Sequence, residues 1–221
     1  MSDTNILLIR HADVHNPEQI VYGRLPRFRL STDGQAQAEM TARALSEEPL
    51  TAIYTSPMLR ARQTARIIAR HHPDIPLRIA VLLQEVQTGW QGARWAEIGS
   101  DVNLYEPRRD PGDESMDDVG DRLERFIGQL LKRHRGETVA CVSHADPVMI
   151  AKVRMQGKPL NMETIRRPDY PERASVTWLT FTPEGELRTS YESPAQELIK
   201  PYEYLKKEAP AEASGAAAPK G

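Results

Sequence analysis

Three short stretches of this 221-residue chain combine side chains able to bind or attack an anion. Ile9-Arg10-His11-Ala12-Asp13 places a basic pair directly behind an apolar run. An imidazole there can act as nucleophile, proton carrier or metal ligand. In Thr55-Ser56-Pro57-Met58-Leu59-Arg60-Ala61-Arg62-Gln63-Thr64-Ala65, Arg60 falls in the first turn of an expected helix. Free backbone N–H groups and the helix dipole already favour an anion at that position, so a cation is locally unfavourable unless an anion joins it. Arg62 and Arg66 read as a solvated helix face. Val142-Ser143-His144-Ala145-Asp146-Pro147 supplies a second histidine behind a second apolar run. Two histidines so placed raise a metal site as a rival, with Asp13 and Asp146 as further ligands. The sequence lacks the additional Cys, His or carboxylate at ligand spacing that zinc normally requires, so no metal is expected.

Each stretch sits where a strand should stop, and open α/β sheets bind ligands beyond the carboxyl ends of their strands. The chain alternates buried-strand runs with helical patterns throughout. Strands are expected at 5–10, 52–55, 77–83 and 138–143, with a hairpin of 175–182 and 186–191 around Pro183-Glu184-Gly185. Helices are expected from Ser31-Thr32-Asp33 to about Glu47 and from Ser56-Pro57 to about Arg70. A third carries Met116, Val119, Leu123, Ile127 and Leu130 at helical spacing, and a fourth begins near Asp146-Pro147. The reading is one domain over 1–207, followed by a disordered Pro/Ala-rich tail from Glu208 to Gly221.

Composition narrows the partners. Basic and acidic side chains number 29 and 31, for a net charge of −2, so no excess of Lys and Arg exists to displace counterions from nucleic acid. Hydrophobic residues at 39% and charged residues at 27% are those of a soluble globular domain. The opening run MSDTNILLIRH is broken by charge too early for a leader or a membrane span. Cys141, the lone cysteine, lies in an apolar run and reads as buried filler; a chain that can form no internal disulfide fits a cytoplasmic setting. No membrane partner is expected, and oligomeric state is not legible.

Taken in order, LLIRHAD, TSPMLRARQTA, the Glu85 loop and VSHADPV resemble the histidine phosphatase superfamily, also called the phosphoglycerate mutase-like family. The match runs from about Ile6 to Phe181. Tyr22-Gly23-Arg24, Gly34 with Gln37-Ala38, and Gly112 with Glu114-Ser115 before Arg122 support it. The resemblance implies a three-layer α/β/α sandwich with a mostly parallel central sheet. It implies a small phosphorylated substrate and no cofactor. His11 becomes the nucleophile, and Arg10, Arg60 and His144 hold the phosphoryl oxygens with help from Ala145, Asn16 and Arg24. Glu85 matches the family's proton donor, with Glu97 and Asp13 as fallback donors.

Departures fall around the substrate walls. Ala12 stands where the family has glycine, Asn16 lies one place from the usual asparagine, and Gly89-Trp90-Gln91-Gly92 is one residue short. Arg173-Ala174-Ser175-Val176 replaces a common Asn-Cys-Ser run. Arg24, Arg27, Phe28, Arg29, Trp90 and Arg94 are candidate wall residues. A phosphomonoester hydrolase is favoured, because the chain leaves little room for the capping insertions of mutases. A phosphoglycerate mutase-type transferase and a non-catalytic phospholigand binder are the alternatives.

Overall fold

The computed structural model describes residues 2–99 and 102–201. Six strands form one sheet in the order β3-β2-β4-β1-β5-β6. These are β1 (Thr4–Arg10), β2 (Leu50–Thr55), β3 (Leu77–Ile79), β4 (Thr138–Ser143), β5 (Val176–Phe181) and β6 (Leu187–Glu192). Strands β1, β2, β3 and β4 run parallel, while β5 and β6 are antiparallel, closing the sheet with the expected hairpin.

Alternation along β1 explains the layering. Ile6 and Leu8 join one core with Val139, Cys141, Leu123 and Ile150, whereas Leu7 and Ile9 join the other with Ala140, Val142, Ala61 and Ile68. Successive strand side chains point to opposite faces, so a strand apolar at every position must be covered on both sides. Helices α1 (Thr32–Ala44) and α2 (Leu59–Ala69) cover one face; α4 (Met116–Arg133) and α5 (Ala145–Met155) cover the other. Two one-turn helices, α3 (Trp95–Ile98) and α6 (Met162–Ile165), lie in the connections. Cys141 is buried in the core, and burial pushes its thiol up, as expected of filler.

Helix ends follow local chemistry. Ser31 caps α1 by accepting from the Gly34 N–H, and Ser115 with Asp118 forms a reciprocal capping box on α4. Helix α2 departs from expectation, because it begins at Leu59 rather than at Ser56-Pro57. The Ser56 hydroxyl meets His144 at 2.8 Å and accepts the Met58 N–H at 3.3 Å, and Met58 caps the helix without a side-chain bond. The strand expected at 77–83 is also shorter. Beyond Ile79 the Ala80 N–H bonds to the Thr55 carbonyl, and Val81–Leu83 tightens into a single 3₁₀ turn that delivers Glu85 over the sheet edge. Helix α1 stops at Ala44, three residues short of the expected end.

No helix among the described residues is long and apolar enough to cross a membrane. The tail expected to be disordered, 208–221, lies outside the described residues.

Candidate active site

The parallel ladder brings the three chemical stretches together. Arg10 pairs in register with Ser143, and Thr55 with Val142. The next residues continue the convergence onto β4: the His11 N–H bonds to the Ser143 carbonyl, and the Ser56 N–H to the Val142 carbonyl, each at 2.9 Å. His144 is the N-cap residue of α5, and Arg60 is the second residue of α2. The rings of His11 and His144 therefore stand 5.1 Å apart, centroid to centroid.

Between them lies the guanidinium of Arg60, only 1% exposed. Its Nε is 3.1 Å from His11 Nε2, and its Nη2 is 3.1 Å from His144 Nδ1 and 2.8 Å from the Gly23 carbonyl. Tyr22 supports it from one side, with the guanidinium carbon 4.5 Å from the ring centroid.

These partners fix the tautomers. His11 Nδ1 lies 2.8 Å from the Ala12 carbonyl, which can only accept, so Nδ1 carries the proton and Nε2 presents a lone pair. In His144 the assignment is reversed: Nδ1 accepts from Arg60, and Nε2 donates to the Ser56 hydroxyl at 2.8 Å. Both rings are held well below the usual imidazole range. Burial is the main cause for each, reinforced by the positive charge of Arg60. Arg10 pushes His11 further the same way, and the Ala12 bond opposes it.

Glu85 closes the cluster. Its Oε2 is 3.6 Å from Arg60 Nη2 and 3.5 Å from His144 Nδ1, and its Oε1 accepts from the Val86 N–H at 3.0 Å. With 18% of its side chain exposed, it remains open to solvent or ligand. Burial raises its carboxyl above the usual range, Arg60 opposes this, and Asp146 adds to it. The result is an unprotonated ring nitrogen whose lone pair is met by Arg60, two guanidinium charges and a carboxyl biased toward its acid form.

His11, Glu85 and His144 also offer donor atoms within 4.8 Å of one another, the ligand types of a catalytic zinc site. The local electrostatics oppose a cation. Arg60 donates into the lone pairs of both imidazoles, and Arg10 also acts on both rings with its positive charge. An anion suits this arrangement better.

Other candidate residues land in different roles. Ala145 opens α5, where backbone N–H groups lack intrahelical acceptors. Arg10 donates to the Pro171 carbonyl at 2.7 Å. Asn16 engages both ends of its amide with the Ile20 backbone. Arg24 is engaged within the fold: Nε bonds to the Glu85 carbonyl and Nη2 to the Glu114 carboxylate, both at 2.7 Å. Asp13 is paired with Arg173 and Ser31, and Glu97 is exposed on α3, so neither fallback donor joins the cluster. Phe28 packs on Tyr22, Trp90 lies under the Arg109 guanidinium, and Arg27, Arg29 and Arg94 are exposed.

Sequence reasoning missed Ser56 as the group that orients His144; the TSP stretch suggested a helix cap instead. It also missed Tyr105 and Tyr170, whose hydroxyls both donate to the buried Asp146.

This sheet order, with two histidines brought together at the ends of β1 and β4, is that of a phosphoglycerate mutase-like fold. The histidine phosphatase superfamily (branch 1) model matches residues 6–192, and the chain belongs to that family. An uncharacterized protein of Mycobacterium tuberculosis is 33% identical over 87% of this chain and 98% of its own length. A metal-independent phosphoserine phosphatase of Arabidopsis thaliana is 30% identical, covering 72% of this chain and 73% of its own. Among solved structures, Bacillus stearothermophilus YhfR superposes with a TM-score of 0.75 at 28% identity, over 86% of this chain and 96% of that one.

Proposed function

We propose that the chain hydrolyses small phosphomonoesters through a phosphohistidine on His11, without a metal. The observation that carries this reading is the Nε2 lone pair of His11, fixed by the Nδ1–H bond to Ala12 and set against the Arg60 guanidinium. In the first step Nε2 attacks phosphorus and the P–O ester bond breaks. Glu85 gives its proton to the departing alkoxide oxygen. In the second step water attacks phosphorus as the P–N bond breaks, Glu85 recovers a proton from that water, and orthophosphate leaves with His11 restored.

Arg60 and Arg10 offset charge on the equatorial oxygens, Arg60 leaving the His11 lone pair for a phosphoryl oxygen as substrate enters. The Ala12 carbonyl stabilises the positive charge that the phosphorylated ring acquires. These cations do what a metal ion does in other phosphatases, and the metal-independent phosphoserine phosphatase relative supports that assignment. The same relative supports a small, charged phosphometabolite as substrate. The lone, buried Cys141 favours a reducing compartment, the cytoplasm.

The test is phosphate release across a phosphometabolite panel that includes phosphoserine, with excess chelator present. Acid-labile phosphate trapped on the wild type and absent from His11→Ala supports the proposal. No turnover of any ester, or activity abolished by chelator, overturns it. Conversion of 3- to 2-phosphoglycerate with a bisphosphorylated primer would assign the chain to the mutases instead.

A further inference from the structure

Behind Glu85 lies a second charge cluster that the phosphoryl chemistry does not use. The Glu114 carboxylate binds two guanidinium groups at once. Arg24 Nη2 donates to Oε2 at 2.7 Å; Arg122 donates to Oε1 through Nε at 2.8 Å and to Oε2 through Nη2 at 3.2 Å. The cluster is largely sheltered, with 8% of the Arg122 side chain and 17% of the Glu114 side chain exposed.

Both arginines also grip the backbone that carries Glu85. Arg24 Nε bonds to the Glu85 carbonyl at 2.7 Å, and Arg122 reaches the same oxygen at 3.4 Å and the Leu82 carbonyl at 2.5 Å. Glu114 itself accepts the Gln87 N–H and donates its own N–H to the Gln87 carbonyl, each at 3.0 Å. One carboxylate on the loop before α4 thus ties together the Gln87 backbone and the two arginines that bond to the Leu82 and Glu85 carbonyls.

We infer that Glu114 is a positioning residue for the proton donor: it holds Arg24 and Arg122 on the backbone of Glu85 and keeps Arg24 off the Glu85 carboxylate. The inference rests on the phosphatase reading above. Two sheltered guanidinium groups demand a counter-charge. If Glu114 loses its charge, the next carboxylate within reach of Arg24 is Glu85, to whose carbonyl Arg24 is already bonded. A new ion pair there would favour the carboxylate form and remove the proton that an alkoxide leaving group needs.

The charged and titratable groups facing Glu85 are Arg10 from β1, His11, Arg24, Arg60 from α2, Arg122 from α4, His144 and Asp146 at the start of α5, and Tyr105. Of these, Arg24 and Arg122 are held by Glu114, and both are cations. The consequence of losing Glu114 is therefore specific in sign.

The test compares wild type and Glu114→Gln, in the full chain, on two esters. Phosphoserine has an alkoxide leaving group that needs a proton, whereas p-nitrophenyl phosphate has one that does not. On phosphoserine, kcat of Glu114→Gln falls by about 10²-fold, the scale of a lost general acid, and on p-nitrophenyl phosphate by less than about tenfold. The basic limb of the phosphoserine pH profile moves to lower pH, because Glu85 ionises earlier. Adding Arg24→Gln to Glu114→Gln moves that limb back, since the intruding cation is gone. Glu114→Asp retains the charge, and its limb stays where the wild type's lies. If Glu114→Gln does not fold, Arg24→Gln alone, which removes a bond to the Glu85 carbonyl, lowers kcat on phosphoserine more than on p-nitrophenyl phosphate, and equal losses on the two overturn the inference. Equal losses on both esters with an unmoved limb overturn the inference and leave the phosphatase reading intact. If phosphoserine is not turned over, the alkyl ester of the panel that is hydrolysed fastest takes its place, and a wild type that hydrolyses no ester of the panel overturns that reading and this inference with it.

Discussion

Arg60 Nε lies 3.1 Å from His11 Nε2, on the lone pair that the Ala12 bond leaves free. One guanidinium therefore both guards the nucleophile and holds its proton affinity down. A lysine cannot span His11, His144 and the Gly23 carbonyl with one planar fork. Arg60→Lys is expected to lower kcat/KM for p-nitrophenyl phosphate by about 10²- to 10³-fold, the scale of a lost transition-state donor. A loss below tenfold would show that Arg60 does not hold the reacting group.

Acid pH should act on both activity and stability. His11 and His144 are neutral when folded and hold their protons less tightly than free imidazole, mainly through burial. Between their lowered folded values and the ordinary value of about 6.5, the unfolded chain binds more protons, so stability rises with pH across that window. Thermal melts should show stability fully present above about pH 6.5 and declining as pH falls below it. His144→Asn should flatten part of that decline. The acid limb of kcat/KM should lie below the ordinary imidazole range, and Arg10→Gln, which removes a cation near His11, should move it upward.

Ser56 and His144 form a buried pair at 2.8 Å. Ser56→Ala leaves the His144 Nε2–H without that acceptor and removes the bond that selects its tautomer. A ring that then protonates Nδ1 points a donor at Arg60. Denaturant melts should report a loss of about 1–3 kcal/mol, the cost of an unsatisfied buried group, together with lower kcat/KM. Unchanged stability and kinetics would remove Ser56 from the site.

Gly34 tests how tightly the nucleophile loop is seated. A Cβ placed there would stand 2.1 Å from the Asp13 carbonyl oxygen, a backbone atom that cannot move alone. Gly34→Ala must displace either α1 or the loop following His11. It should destabilise by at least the 1–3 kcal/mol typical of overpacking, and reduce kcat more than KM. A variant with wild-type Tm and kcat would show that the approach is softer than the geometry implies.

Much of the frame was legible because it is periodic. The continuous apolar run of β4 announced a strand covered on both faces, and Met116, Val119, Leu123, Ile127 and Leu130 announced the inward stripe of α4. Legibility ended where a side chain had two possible partners. Ser56 resembles a helix cap in the sequence, yet in the fold its hydroxyl also meets His144, and α2 starts at Leu59. Arg24 resembles a phosphate ligand, yet Glu114 and the Glu85 carbonyl engage it first. Residues 24, 85, 114 and 122 meet only after α4 packs on the sheet, so no local spacing encodes their convergence.

The pairing of Arg10 with Ser143 in the β1–β4 ladder makes the sheet a ruler. Inserting or deleting one residue in either strand would slide its end by about 3.3 Å and turn its side chains to the opposite face. His11 and His144 would then no longer share Arg60. Surface loops can lengthen and shorten with substrate, whereas the length of these two strands is set by the gap between two imidazoles.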